Sequence, residues 1–235
     1  SRTSRRCTHF CYGKRNVRRL MYHFIFDLDG TISNPEVGIF NGYRYTFQHL
    51  NIPIPSNDVL KTLIGPPLRI VFEQHYHLST SEANFAIQTY RKYYNELGGA
   101  FENYLYKDMF DVLHQLHELK NTLHIATHKG NMAHEILKHF KIRDFFSQLQ
   151  HYNEAKNITT KERMIELILQ EENICNKNKV VMIGDRHSDI EAAHHHQIKS
   201  IAVLYGFGSN DELEKSNPTY VANNAKELLA ILQQL

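Results

Sequence analysis

Residues 22–31 read YHFIFDLDGT, a strand-like apolar run that ends in two aspartates one residue apart, Asp27 and Asp29, followed at once by Gly30 and Thr31. Carboxylates that close repel each other, and both stay ionised only if a cation or a shared proton stands beside them. A strand that stops at a polar turn would explain the same letters in an arbitrary Asp-x-Asp-Gly. The rest of the chain decides between the two readings.

From Asp108 onward the sequence alternates. The helical patterns MFDVLHQLHEL, AHEILKHF, KERMIELILQE, DIEAAHHH, NDELEK and AKELLAILQQL are interleaved with the short apolar runs LHIAT, SQLQHY, KVVMIG, SIAVLYG and TYVA. Buried strands alternating with amphipathic helices predict a parallel sheet covered on both faces. Between Pro35 and Tyr106 the periodicity is helical instead, with Tyr43, Phe47 and Leu50 on one face and Leu68, Val71 and Phe72 on another. SEANFAIQTYRKYYNEL continues that pattern with Ser79 or Ser81 as N-cap, and Gly65-Pro66-Pro67 interrupts it with a fixed turn. The predicted fold is a doubly wound α/β core, residues 21–34 and 107–235, with a helical insertion at 35–106 directly after the first strand.

Composition bounds the function. With 42% hydrophobic and 22% charged residues, the 235-residue chain reads as globular, and no apolar run approaches the ~20 residues that cross a bilayer. The formal charge of +2 misleads, because residues 1–20 hold seven Lys and Arg and no acid. Without those seven, the 27 basic residues fall to 20 against 25 acidic ones, which argues against a nucleic-acid partner. Only Cys175 of the three cysteines lies outside the leader, so the body carries no disulfide framework, as a cytoplasmic protein would. Met21 reads as a natural start, and residues 1–20 as a cloning remnant or translated upstream sequence, with an Arg-rich transit peptide or a polyanion-binding arm as alternatives. Cys7, His9 and Cys11 are too few and too irregular for a metal site.

In a doubly wound sheet ligands bind beyond the carboxyl ends of the strands. The first apolar run ends in Asp27 and Asp29, LHIAT in Thr127 with Lys129 soon after, and KVVMIG in Asp185 with Asp189 one helical turn on. Lys161 opens the preceding helix. Each alone has a bland explanation as a cap, a turn or a solvated residue; their convergence on one rim points to a site.

These residues carry a resemblance. From Tyr22 to Leu235 the chain resembles the haloacid dehalogenase superfamily of phosphohydrolases, with DLDGT, IATHK, TTKERMIELIL and VMIGDRHSDIEAA in the order of its four motifs. IGPPL, the GDR form of the fourth motif and VLYGFGS are similar to the phosphoglycolate-phosphatase-like branch, which includes nucleotidases and pyrophosphatases. The resemblance implies a helical cap over a Rossmann-like core. It implies Asp27 as nucleophile and Asp29 as general acid and base, with Mg2+ held by Asp27, Asp185 and the Asp29 carbonyl. Asp189 holds a metal water or supports Lys161. Thr127 and Lys161 bind the phosphoryl group, with Lys156 as a rival for the lysine role. Ser33-Asn34 and His128 depart from the commoner residues, which places His128 among the substrate contacts. Gly65, Pro66, Pro67 and Arg69 are the expected cap contacts, a solvated Arg69 being the bland alternative. His194, His195 and His196 face different directions on a helix and read as its partly exposed end rather than a metal site.

The implied activity is hydrolysis of a small phosphorylated metabolite by a monomer or homodimer, with no nucleic-acid or membrane partner. A 5'-nucleotidase or pyrophosphatase, a phosphomutase, and a non-catalytic phosphometabolite-binding protein follow in that order.

Overall fold

The computed structural model describes residues 21–235; the leader readings for residues 1–20 lie outside them. HFIF forms β1 (His23–Phe26), and its two sides go to different cores. Phe24 and Phe26 pack with Val181 and Ile183, while Ile25 packs with Val180 and Met182. A strand buried on both faces must lie inside a covered sheet. β2 (Ser33–Asn34) and β3 (Tyr104–Leu105) follow, then β4 (Thr122–Thr127), β5 (Phe146–His151), β6 (Val180–Gly184), β7 (Lys199–Val203) and β8 (Tyr220–Ala222). Six of them form one parallel sheet in the order β5-β4-β1-β6-β7-β8. β1, β4 and β6 therefore lie side by side, and their carboxyl ends share one rim.

The segment between β2 and β3 holds α1 (Glu36–His49), α2 (Asn57–Thr62), α3 (Leu68–Ile70) and α4 (Thr80–Arg91). Ser79 is the α4 N-cap, accepting from Glu82 N–H while Glu82 accepts from Ser79 N–H. Tyr43, Phe47, Val71 and Phe72 are buried together, as their spacing predicts. Two features escape that periodicity. α3 runs on as a π-helical turn at Val71–His75, and α4 as another at Lys92–Glu96. The two crossings to the core also pair antiparallel as β2 and β3, a ribbon in a region with little strand character in its sequence. Gly38 of α1 packs closely on Gly99: a Cβ on Gly38 would stand 2.0 Å from the Gly99 carbonyl oxygen.

After β3 come α5 (Met109–Glu118), α6 (Met132–His139), α7 (Lys161–Glu171), α8 (His187–His196), α9 (Asn210–Lys215) and α10 (Ala225–Gln234). Met164, Ile165 and Ile168 of α7, with Ala192 and Ala193 of α8, cover one face of the sheet over Ile25 and Ala126. No helix among the described residues is long and apolar enough to cross a membrane.

Candidate active site

The rim at the ends of β1, β4 and β6 gathers the acids. Asp27 follows β1, and its carboxylate is fixed at both oxygens: Leu28 N–H donates to Oδ1 at 2.7 Å, and Lys161 Nζ stands 2.8 Å from Oδ2. Lys161 is delivered by the start of α7, where Thr160 caps the helix by accepting from Arg163 N–H. Its ammonium also meets Asp189 Oδ1 at 2.7 Å and donates to the Ala126 carbonyl at 2.9 Å. Burial by itself would depress the Lys161 pKa, but Asp189 and Asp27 outweigh it and hold the group above its ordinary value. Asp189 sits in the first turn of α8, and its Oδ2 accepts from Arg186 N–H at 3.1 Å.

Asp185, just past β6, is wholly buried. Phe207 N–H donates to its Oδ2 at 2.7 Å and Thr31 Oγ1 to its Oδ1 at 3.3 Å. Burial first, then the charges of Asp27 and Asp189, push Asp185 well above the usual carboxylate range. The backbone is shaped around this group. Gly30 has φ +83°, and a Cβ there would fall 2.1 Å from Asp185 Oδ2. Oxygen atoms of Asp27, Asp185 and Asp189 all lie within 4.8 Å of one another. Three buried carboxylates face one ammonium, and that surplus of hard, negative oxygen donors fits a divalent cation of the magnesium type.

Asp29 turns away from this trio. Its Oδ2 is 2.7 Å from Lys129 Nζ, and its Oδ1 is buried without a partner among the described residues. Burial raises its pKa, against the pull of Lys129. Lys129 also donates to the hydroxyl of Tyr94, which the second π-turn of the helical segment brings across to the core. The signal for Lys129 in the sequence is faint: its position two residues past Thr127 points to the rim but assigns no role. Tyr94 left no signal, because a π-turn re-aims a side chain without marking the 3.6 period.

The remaining expected residues fall as follows. Thr127 is buried at the end of β4, and its Oγ1 accepts from Lys129 N–H at 3.1 Å, which leaves its own proton free. His128 is exposed on the rim beside it. Lys156 lies exposed in the turn Glu154–Lys156; it is Lys161 that reaches Asp27. Gly65, with φ +107°, rests against Arg186: a Cβ there would come within 2.7 Å of Nη1. Pro66 is half-buried and Pro67 exposed in the same corner. Arg69 is engaged elsewhere, with Glu73 Oε1 at 2.8 Å and Asn84 Oδ1 at 2.9 Å, on an exposed face of the helical segment. His194 and His195 are exposed in the last turn of α8.

The chain is similar to known proteins over most of its length. The model of the haloacid dehalogenase-like hydrolases matches residues 24–203. A 5'-nucleotidase of Pseudomonas aeruginosa is 32% identical over 212 residues, 90% of this chain and 95% of that protein. The tyrosine-protein kinase PtkA of Mycobacterium tuberculosis is 30% identical over 203 residues, 86% of this chain and 68% of its own. A solved haloacid dehalogenase-like family hydrolase of Streptococcus pneumoniae superposes with a TM-score of 0.82 at 30% identity, covering 91% of this chain and 99% of that one. With its acids on the rim of a parallel sheet and its match spanning most of its length, the chain belongs to the haloacid dehalogenase-like hydrolases, among their phosphatases.

Proposed function

We propose that the protein is a magnesium-dependent phosphatase that hydrolyses a small phosphorylated metabolite through an aspartyl-phosphate on Asp27. One observation carries this reading: Asp27 is a buried carboxylate held at both oxygens beside Lys161, with Asp185 and Asp189 within a few ångströms. A structural ion pair needs one carboxylate for its lysine; this one has two, with a third alongside.

In this reading Asp27 attacks the phosphorus in line, forming the Asp27 O–P bond as the bond to the leaving oxygen breaks, and water later displaces the phosphate. Lys161 and the free hydroxyl proton of Thr127 bind the phosphoryl oxygens. Asp27 and Asp185 would hold Mg2+ with the Asp29 backbone carbonyl, Asp189 standing behind them, and such an ion would supply neutralisation of phosphoryl charge. Asp29 delivers a proton from its unpartnered Oδ1 to the leaving alkoxide and later takes one from the attacking water. Its raised pKa, caused by burial, suits the first role.

The helical segment acts as the cap. Tyr94 on Lys129 and Gly65 on Arg186 are contacts through which a closed cap excludes water. The Gly65-Pro66 corner faces the core and contributes to substrate choice, whereas Arg69 supports the cap through Glu73 and Asn84. Phosphoglycolate-like substrates lead, and nucleoside monophosphates follow, favoured by the 5'-nucleotidase relative.

The test is phosphate release from a panel of phosphorylated metabolites. Turnover that requires Mg2+ and is lost in chelator is expected; equal turnover in chelator would sink the metal-dependent mechanism.

A further inference from the structure

At the opposite ends of the same elements lies a cluster with no part in this chemistry. His23 opens β1, His124 lies within β4, and Glu172 is the C-cap of α7. One ligating atom from each falls within 4.8 Å of the other two. His124 is fully buried, while His23 and Glu172 are half-buried, so the cluster has a floor in the sheet and an open side.

We propose that His23, His124 and Glu172 bind one divalent transition ion of the zinc class. The two imidazoles present His23 Nδ1 and His124 Nε2 to each other at 3.1 Å, with ring planes 10° apart. Nitrogens bound to a single tetrahedral zinc at about 2.0–2.1 Å stand roughly 3.3–3.4 Å apart, so an opening of a few tenths of an ångström admits the ion.

The carboxylate is fixed as well, since the Ser147 hydroxyl donates to Glu172 Oε1. Burial lowers the pKa of both histidines, that of His124 to about 4, which keeps them in the neutral form that ligates metals. Two imidazoles and one carboxylate, with a fourth position open to water, make a zinc-type donor set; magnesium prefers the all-oxygen set at the other end.

The placement gives the ion a consequence. β1 leads into Asp27, β4 ends at Thr127 and α7 begins with Lys161, so the ion ties together the roots of the three elements that carry the active-site rim. It acts as a staple, and its readout is stability.

The experiment uses the full chain stripped of metal, in an Asp185→Asn background that weakens ion binding at the active rim. Zn2+ is titrated while stoichiometry and thermal midpoint are followed, and Co2+ absorption reports coordination geometry. We expect one Zn2+ per chain, a raised midpoint that Mg2+ does not reproduce, and tetrahedral Co2+ bands. His23→Gln and Glu172→Gln, both at half-buried positions, should each weaken binding by about tenfold or more and abolish the shift. No Zn2+ uptake, or uptake that survives both substitutions because it occurs at the leader or at His194–His196, would overturn the proposal.

Discussion

Asp29 is where the residue-scale account is most exposed. Lys129 holds Oδ2 and leaves Oδ1 unpartnered, so the side chain has one anchored oxygen and one available for proton transfer. Asp29→Asn should lower kcat by about 100-fold or more for alkyl phosphates, whose leaving groups need the proton, and much less for an aryl phosphate. Steady-state kinetics on the two substrate types checks this, and an equal loss on both would remove Asp29 from acid catalysis. The spacing of Asp27 and Asp29 was legible because both sit within one turn of sequence. The role of Lys129 was not, since its partner Tyr94 is 35 residues away and reaches it only through folding.

Elements place these residues by means that sequence records unevenly. The alternation of apolar runs and amphipathic patterns after Asp108 announced the parallel sheet, and the helical pattern KERMIELILQE announced that Lys161 would open a helix, as it does behind the Thr160 cap. The β2–β3 ribbon went unread because two-residue strands are too short for a period of two to appear. Strand order went unread because pairing between distant segments is settled by packing. Glu212 at the start of α9 shows another long-range tie: its Oε1 accepts from Arg186 Nε at 2.9 Å and from His187 N–H at 3.0 Å, next to Asp185. Burial would raise its pKa, but the bonds from His187 and Arg186 prevail and lower it from 4.5 to about 2. A depressed carboxylate stabilises the fold above its unfolded pKa, and that contribution fades as pH falls through the folded value. Glu212→Gln should therefore cost about 1–2 kcal/mol near neutral pH. The gap should close as pH falls from 4.5 toward 2, as denaturant titrations across that range would show. A gap independent of pH would mean that Glu212 acts through packing alone.

For the whole molecule, the claim is division of labour between a core that handles the phosphoryl group and a cap that selects what carries it. The Gly65 corner tests the division, because its φ of +107° and its contact with Arg186 tie cap position to the core. Gly65→Ala should alter the ranking of natural substrates while leaving a small aryl phosphate much less affected. A uniform loss in a folded protein would assign the corner to cap stability instead. The central claim, that Asp27 becomes phosphorylated, is open to direct observation. Acid-quenching the enzyme during turnover with Mg2+ and mapping its peptides by mass spectrometry should find one phosphoryl group on Asp27, labile to base and absent from the Asp27→Asn protein. Sustained phosphatase turnover by a verified Asp27→Asn preparation, with no phosphoryl group on Asp27 in the parent enzyme, would contradict the account.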